Sequence, residues 1–489
     1  MRAFSTLEIL LALAIGVTAI VGASLIAFGT PEMLENARLE YAAYGIASAH
    51  LTKAERKVRH DFGSISSIPP SVSKGYDSSL EVTYVHDDLA ARLTARVSWT
   101  DTRGKKREVS IESLVTHPEA ALLDACSPFV FEKEVRETSP SHLTSEDLLP
   151  GISGQYPVSD VVATRDSLLI SVSTTLLPTD PTLLLFELGN THEPSLVRGT
   201  FDNASTTRVG YAAVSVAGKY AYAANSFGSA SPTTCSTHAC AQLQVFDMSK
   251  GLELIGSLTL PMNAPPYAQS SGNRTTLAKA IAYRKGYVYL GLEKTLNGQE
   301  FNIIDVQDPE KPRWVGGAAI GRSVNDISIR GTRAYLATSD PAREFVVVDI
   351  ENPSDPWVIS EWNAPGSTNF GLGNAVLARA GKVYTGRTYV GNAPELYVFN
   401  ENDFEAPVFE YDPGTILIPR SVNGIIVRNS LLAVVVGKRF ELWNWNGSTF
   451  VSHAPSIELP GTGTSLACRG DTFYVGGVTD SGEGFISTI

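Results

Sequence analysis

The sequence predicts a chain of two unlike parts: an amino-terminal α+β module built on one long helix, and a larger all-β part of seven four-stranded units closing into a ring. Three observations predict this. An uncharged apolar run, Ile9 to Phe28, stands near the amino terminus. A helically patterned stretch and three strand-like segments follow it, up to residue 117. From residue 160 onward, a two-strand pattern with a turn at its centre occurs seven times. At 489 residues the chain exceeds one ordinary core, and its 41 Gly and 27 Pro suit many tight turns between short strands.

The run Ile9 to Phe28 is 20 residues long, which matches the roughly 20 that a helix needs to cross about 30 Å of hydrocarbon. Arg2 precedes it and Glu32 and Glu35 follow, so the positive-inside rule keeps the amino terminus inside and exports the rest. Glu8 stands at the head of this run. A carboxylate at membrane depth costs roughly 2.5–3.5 kcal/mol, so the position calls for a function. Beyond Gly29 and Pro31, where a kink is permitted, the helical pattern continues to about residue 60 with Leu34, Leu39, Ala42, Ala43, Ile46 and Leu51 on one stripe. The segments SSLEVTYVHDD, ARLTARVSWTD and REVSIESLVTH then predict a small antiparallel sheet over 79–117, its last two strands joined by Thr102-Arg103-Gly104.

The stretch Phe4-Ser5-Thr6-Leu7-Glu8 and the apolar helix behind it resemble the amino terminus of type IV prepilins and type II secretion pseudopilins. That resemblance implies cleavage between Ala3 and Phe4, N-methylation of Phe4, and a filament-assembly role for Glu8, which would neutralise the terminal ammonium of a neighbouring subunit. Ala3 departs from the usual Gly before the cut, and the leader, residues 1–3, is very short. The pilin-like module then spans 4–118, with its transmembrane helix at about 6–28. Implied partners are other pilins through that helix and a prepilin peptidase. The implied location is the inner membrane, as a single-pass precursor, and then an extracellular filament, at or near its tip.

After a linker at 119–126, the seven copies are DVVATRDSLLISV, AAVSVAGKYAYAA, KAIAYRKGYVYLG, NDISIRGTRAYLA, NAVLARAGKVYTG, NGIIVRNSLLAVV and TSLACRGDTFYVG. Third and fourth strands follow the first six, most clearly in FNIIDVQDPEKPRWVG and FVVVDIENPSDPWVIS, where Asp305 and Asp349 lie 44 residues apart. These units resemble LVIVD-type β-propeller repeats, one four-stranded blade per repeat. The seventh copy has only GFISTI left for a third strand, so Pro128 to Glu134 is expected to supply the fourth and close the ring over 127–489. Turns between first and second strands are short, whereas the inter-blade and second-to-third-strand loops carry the insertions. Binding is expected on that loop-rich face.

A net charge of −12 and a pI near 5.3 exclude a clustered basic nucleic-acid surface. The eight histidines form no metal-ligand spacing, and neither a calcium loop nor a phosphate loop is present, so catalytic residues, metals and cofactors are not expected. In an oxidising compartment Cys235 and Cys240 are expected to bridge, with metal binding by the pair and His238 as the alternative. Cys126 and Cys468 are candidates for a second bridge, against two unpaired buried thiols. Arg469-Gly470-Asp471 reads as a hairpin turn, and Asp247, Asp305 and Asp349 as turn formers. Tyr211, Tyr267, Phe370 and Tyr389 are aromatic candidates for the loop-rich face. The functional expectation is a non-enzymatic minor pilin whose propeller head serves adhesion or recognition of a surface, protein or glycan. A secretion pseudopilin with a cargo-selecting head and a surface-anchored propeller hydrolase or lyase are the rivals. Acids and histidines converging at the channel mouth would favour the enzyme.

Overall fold

The computed structural model describes residues 31–60, 68–116 apart from 74 and 86–89, 141–144, and 156–489 apart from 174–180, 190–193, 202–209, 227–240, 261–275, 296–298, 364–371, 380, 389–393, 402, 404–408, 412–420, 429–430 and 446–449. The chain divides into two compact units, Met1–Pro118 and Glu119–Ile489.

In the first unit, helix α1 (Pro31–His60) packs on a four-stranded antiparallel meander of β1 (Ile68–Ser73), β2 (Tyr76–Val85), β3 (Ala90–Thr100) and β4 (Lys106–Thr116). The buried stripe of the helix is Ala43, Ala47, Leu51 and Ala54, spaced by about one turn each, with Leu39 and Ile46 at its margin. Ala42, expected on that stripe, faces solvent. Three alanines let the helix approach Leu93, Ala95 and Val97 of β3 closely, so a thin sheet and one helix can share a core. The helix is pinned at both ends. Asn36 Oδ1 accepts from the backbone N–H and hydroxyl of Thr102 at 3.1 and 3.0 Å, and Ser113 Oγ donates to Glu55 Oε1 at 2.6 Å. In the β3–β4 turn, Asp101 accepts the N–H groups of Arg103 and Lys105 and the guanidinium of Arg107, which holds its carboxyl below the usual range despite burial.

The second unit is seven antiparallel sheets: six have four strands, and the sixth has a fifth, Ile457–Glu458, which also pairs with Arg439–Trp445. The innermost strands are Val158–Ala163, Tyr211–Ala217, Ala278–Arg284, Val324–Arg330, Gly373–Arg379, Val422–Arg428 and Gly461–Arg469, defining blades one to seven. Each innermost strand touches those of both neighbouring blades, and blade seven touches blade one, so the ring is closed. Second and third strands are buried along nearly their whole length, as in Ser167–Val172 and Phe345–Asp349, because both their faces pack on adjacent blades. The outermost strand of blade seven is β5 (Ser141–Thr144), paired with Gly484–Thr488. There His142 Nδ1 lies 2.7 Å from Ser487 Oγ, and burial lowers the pKa of the ring.

Three expectations are corrected. Apart from α1 and one short 3-10 turn the described residues are strand and loop, so the α+β pilin-like stalk built on a long amino-terminal helix is overturned. Among the described residues no helix is long and apolar enough to cross a membrane, against the single-pass inner-membrane precursor destined for a filament. The physical reason lies in α1, which carries Glu35, Arg38, Glu40, Lys53 and Glu55 around a stripe made mostly of alanine. The expected span at about 6–28 lies outside the described residues. The closing strand is Ser141–Thr144, and Pro128 to Glu134 lies outside the described residues.

Blades four and five are joined by a fully buried ion pair, Arg387 Nη2 to Glu344 Oε1 at 2.6 Å, with both side chains 0% exposed. Removing one partner strands a charge in the interior, which costs about 3–5 kcal/mol, whereas removing both is far milder. Arg387→Met should therefore lower unfolding stability by about that amount, and adding Glu344→Leu should restore most of it, as read by urea denaturation.

Candidate functional site

The innermost strands share one irregularity. In all seven, the pairing with the second strand slips by one residue at the same place, between Val158 and Asp160, Tyr211 and Ala213, Ala278 and Ala280, Val324 and Asp326, Gly373 and Ala375, Val422 and Gly424, and Gly463 and Ser465. A β-bulge leaves its extra residue out of the ladder and re-aims the side chain. The seven extra residues are Ser159, Ala212, Lys279, Asn325, Asn374, Asn423 and Thr464. All seven line one central cavity of about 200 Å³.

Six of these side chains are polar, and each bonds to the next blade. Ser159 Oγ donates to the Tyr211 carbonyl at 2.6 Å, Asn325 Nδ2 to Gly373 at 2.8 Å, Asn423 Nδ2 to Gly463 at 2.8 Å, and Thr464 Oγ1 to Val158 at 2.7 Å. Lys279 Nζ donates to Asn325 Oδ1 at 2.8 Å, and Asn374 Nδ2 to Asn423 Oδ1 at 3.2 Å. Only blade two, with Ala212, has no polar side chain at this level. The clasps occupy the start of each innermost strand, where the inter-blade chain arrives, and so lie on the loop-rich side.

One residue deeper stand two carboxylates. Asp160 accepts from Val161 N at 2.9 Å, Ser465 Oγ at 2.5 Å and Val214 N of blade two at 2.9 Å. Asp326 accepts from Ile327 N and from Val376 N of blade five, both at 2.8 Å. Burial pushes each carboxyl up to about 6, partly offset by these bonds, and the Asp160 charge adds to the rise at Asp326. Burial likewise lowers the Lys279 ammonium, against the opposing pull of Glu293. At the opposite end of the innermost strands stands a column of arginines. Arg284 Nη1 donates to the Ile329 carbonyl at 2.8 Å, Arg330 pairs with Glu401 at 2.6 Å, Arg428 with Asp471 at 2.8 Å, and Arg469 donates to the Gly189 carbonyl at 3.0 Å. Each of these contacts reaches the following blade, so this end is held by the same logic with charged groups.

The residues singled out from the sequence fall elsewhere. Ala3, Phe4, Glu8, Cys126, Cys235 and Cys240 lie outside the described residues, as do Tyr267, Phe370 and Tyr389. Cys468 is buried and disulfide-bonded, its partner lying outside the described residues. Tyr211 is wholly buried, with its hydroxyl on Gln244 Oε1, so it belongs to the core. Gly470 turns with φ +57° at the hairpin, and Asp247, Asp305 and Asp349 each accept a backbone N–H two residues on, at 3.0, 3.0 and 2.9 Å. Sequence reasoning missed the bulged column, although the signal was present: a polar residue, three times Asn, heads the repeat in most copies.

Loss of one clasp should cost about 1 kcal/mol, so Asn423→Ala should lower the denaturation midpoint modestly while keeping the fold by circular dichroism. The two raised carboxyls set a pH dependence. The folded state holds their protons more tightly than the unfolded chain, whose aspartates titrate near the ordinary 3.8. Stability contributed by these groups therefore rises as pH falls from above about 6 towards about 4, and is absent at neutral pH and above. Thermal unfolding followed from pH 7.5 to 4.5 should show this rise, and Asp326→Asn should flatten part of it.

Residues 321–363 match the LVIVD repeat family, a span that holds all four strands of blade four. No curated protein matches the chain. Among solved structures the chain is similar to the β-propeller domain of Cps50 (Swd1) from Myceliophteria thermophila, at 12% identity and TM-score 0.42, covering 70% of this chain and 99% of that one. It is similar also to the WD40 β-propeller domain of Doa1, at 11% identity and TM-score 0.44, covering 69% and 94%. A chain of the Mitotic Checkpoint Complex matches at 13% identity and TM-score 0.48, covering 73% and 96%. None of these comparisons supports a pilin-type amino-terminal module. The strand pairing makes the described residues from 141 onward a seven-bladed β-propeller, and its fourth blade, within 321–363, matches the LVIVD repeat.

Proposed function

We propose that this chain is a non-catalytic recognition protein whose propeller binds its partner at the channel mouth on the loop-rich side. The observation that carries this reading is the bulged column: six polar side chains on six blades, held in fixed orientation by inter-blade bonds, line one central cavity at the start of the innermost strands. Rigid polar groups around a concavity are what specific binding requires. Asp160 and Asp326 are the acids an enzyme would use, but they already accept backbone N–H groups from neighbouring blades. Spending them on proton transfer would loosen the ring, and among the described residues no histidine lines the cavity. A surface-exposed protein or glycan is the class of partner this arrangement suits.

The test is binding of the full chain to printed glycan and protein arrays. A partner captured by wild type should be lost, by about tenfold or more, in the double variant Asn374→Ala with Asn423→Ala. Glu310→Ala, in an exposed turn at the other end of the strands, should leave capture unchanged. Equal capture by all three proteins would refute the mouth as the binding face.

A further inference from the structure

The bulged column also carries the chemistry of a small-ligand site, which rests on the channel mouth being a binding site. A cavity of about 200 Å³ is many times the ~10–15 Å³ that one water requires, yet below the ~300–1,000 Å³ of sites for drug-sized ligands. Its rim interleaves an ammonium on blade three, carboxamides on blades four to six, and hydroxyls on blades seven and one, with the two carboxylates one residue below. The clasps do not exhaust these groups. Lys279 gives one of its three N–H bonds to Asn325, and each asparagine gives one of two amide N–H bonds to its neighbour.

Charge decides between ligand classes. A carboxylate ligand approaching Lys279 would also face Asp160 and Asp326, and an ammonium ligand approaching those acids would face Lys279. A hydroxyl donates to the one and accepts from the other. Blade two supplies the room: Ala212 and Ala213, beside Ala280, form a small apolar wall where the clasp is missing. We infer that the channel mouth binds a neutral polyhydroxylated ligand of monosaccharide size, its hydroxyls shared between Lys279, the three asparagines and the acids below, with a C–H face against the alanines of blades two and three.

Isothermal titration of the full chain with D-glucose, D-galactose and D-mannose tests this, with D-glucuronate and D-glucosamine as charged arms. At least one neutral hexose should bind with a Kd of about 1 mM or tighter, more tightly than either charged sugar. Ala212→Leu fills the apolar wall and leaves every clasp in place. It should weaken binding by about tenfold or more with an unchanged thermal midpoint, and Lys279→Met should weaken it comparably. No heat from any neutral hexose up to about 20 mM, tighter binding of a charged sugar, or full binding by Ala212→Leu would each overturn the inference. Array capture that depends on Asn374 and Asn423 but is untouched by hexoses and by Ala212→Leu overturns it too, while leaving the recognition reading intact. Hexose binding with silent arrays supports the channel ligand and removes the macromolecular partner.

Discussion

The propeller depends on a single repeated departure from regular pairing. Each innermost strand inserts one residue at the same register, and in six of the seven blades the side chain of that residue bonds to the next blade. Seven sheets packed face to face have apolar contacts in plenty, but such contacts are non-directional and fix neither register nor tilt. The clasps supply direction at one end of the strands and the arginine column supplies it at the other. The close approach of neighbouring sheets shows at Gly424, where an added Cβ would sit 2.8 Å from Leu466 Cβ of the next blade, and at Gly476, 2.7 Å from a Val158 methyl. Side chains that small at such points let the bulged residues come within hydrogen-bonding reach.

The same device explains why the candidate site sits where it does. Polar groups that hold the ring together are turned inward by the bulge, so the structural clasps and the cavity lining are the same atoms. Recognition chemistry here comes from capacity left over after the architectural bonds are made. The buried acids show the other side of this economy. They accept neighbouring backbone N–H groups, and burial raises both pKa values to about 6, so acid strengthens the inner ring where it would weaken an ordinary surface ion pair.

Much of this was legible in the residues. The seven repeat copies, the short turns and the aspartates at third-strand ends each follow from local chemistry: alternating apolar residues, Gly at positive φ, and a carboxylate that can accept a backbone N–H two residues on. Less legible was the column that matters for the site. A bulge is a relation between two strands, and no periodicity within one strand announces which residue is left out. Lys279, Asn325, Asn374 and Asn423 head their repeat copies, yet nothing in the copies themselves says that these side chains meet. The closing strand was misplaced for a related reason: both Pro128 to Glu134 and Ser141 to Thr144 precede blade one, and only pairing with Gly484–Thr488 distinguishes them.

By itself, the sequence determined the number of blades, their strand order and the side on which the loops open, because turn chemistry and apolar runs act within a few residues of one another. Before the ring it marked the helical stretch and three of the four strands, missing Ile68–Ser73. Tertiary structure decided what those elements do together. It overturned the pilin-like stalk, since α1 carries charges around an alanine stripe and packs on its own small sheet. It also gathered seven residues, spread over some 300 positions of chain from Ser159 to Thr464, into one cavity. Ring closure brings blade seven against blade one, and contacts made across that distance leave no mark on the local pattern of either segment.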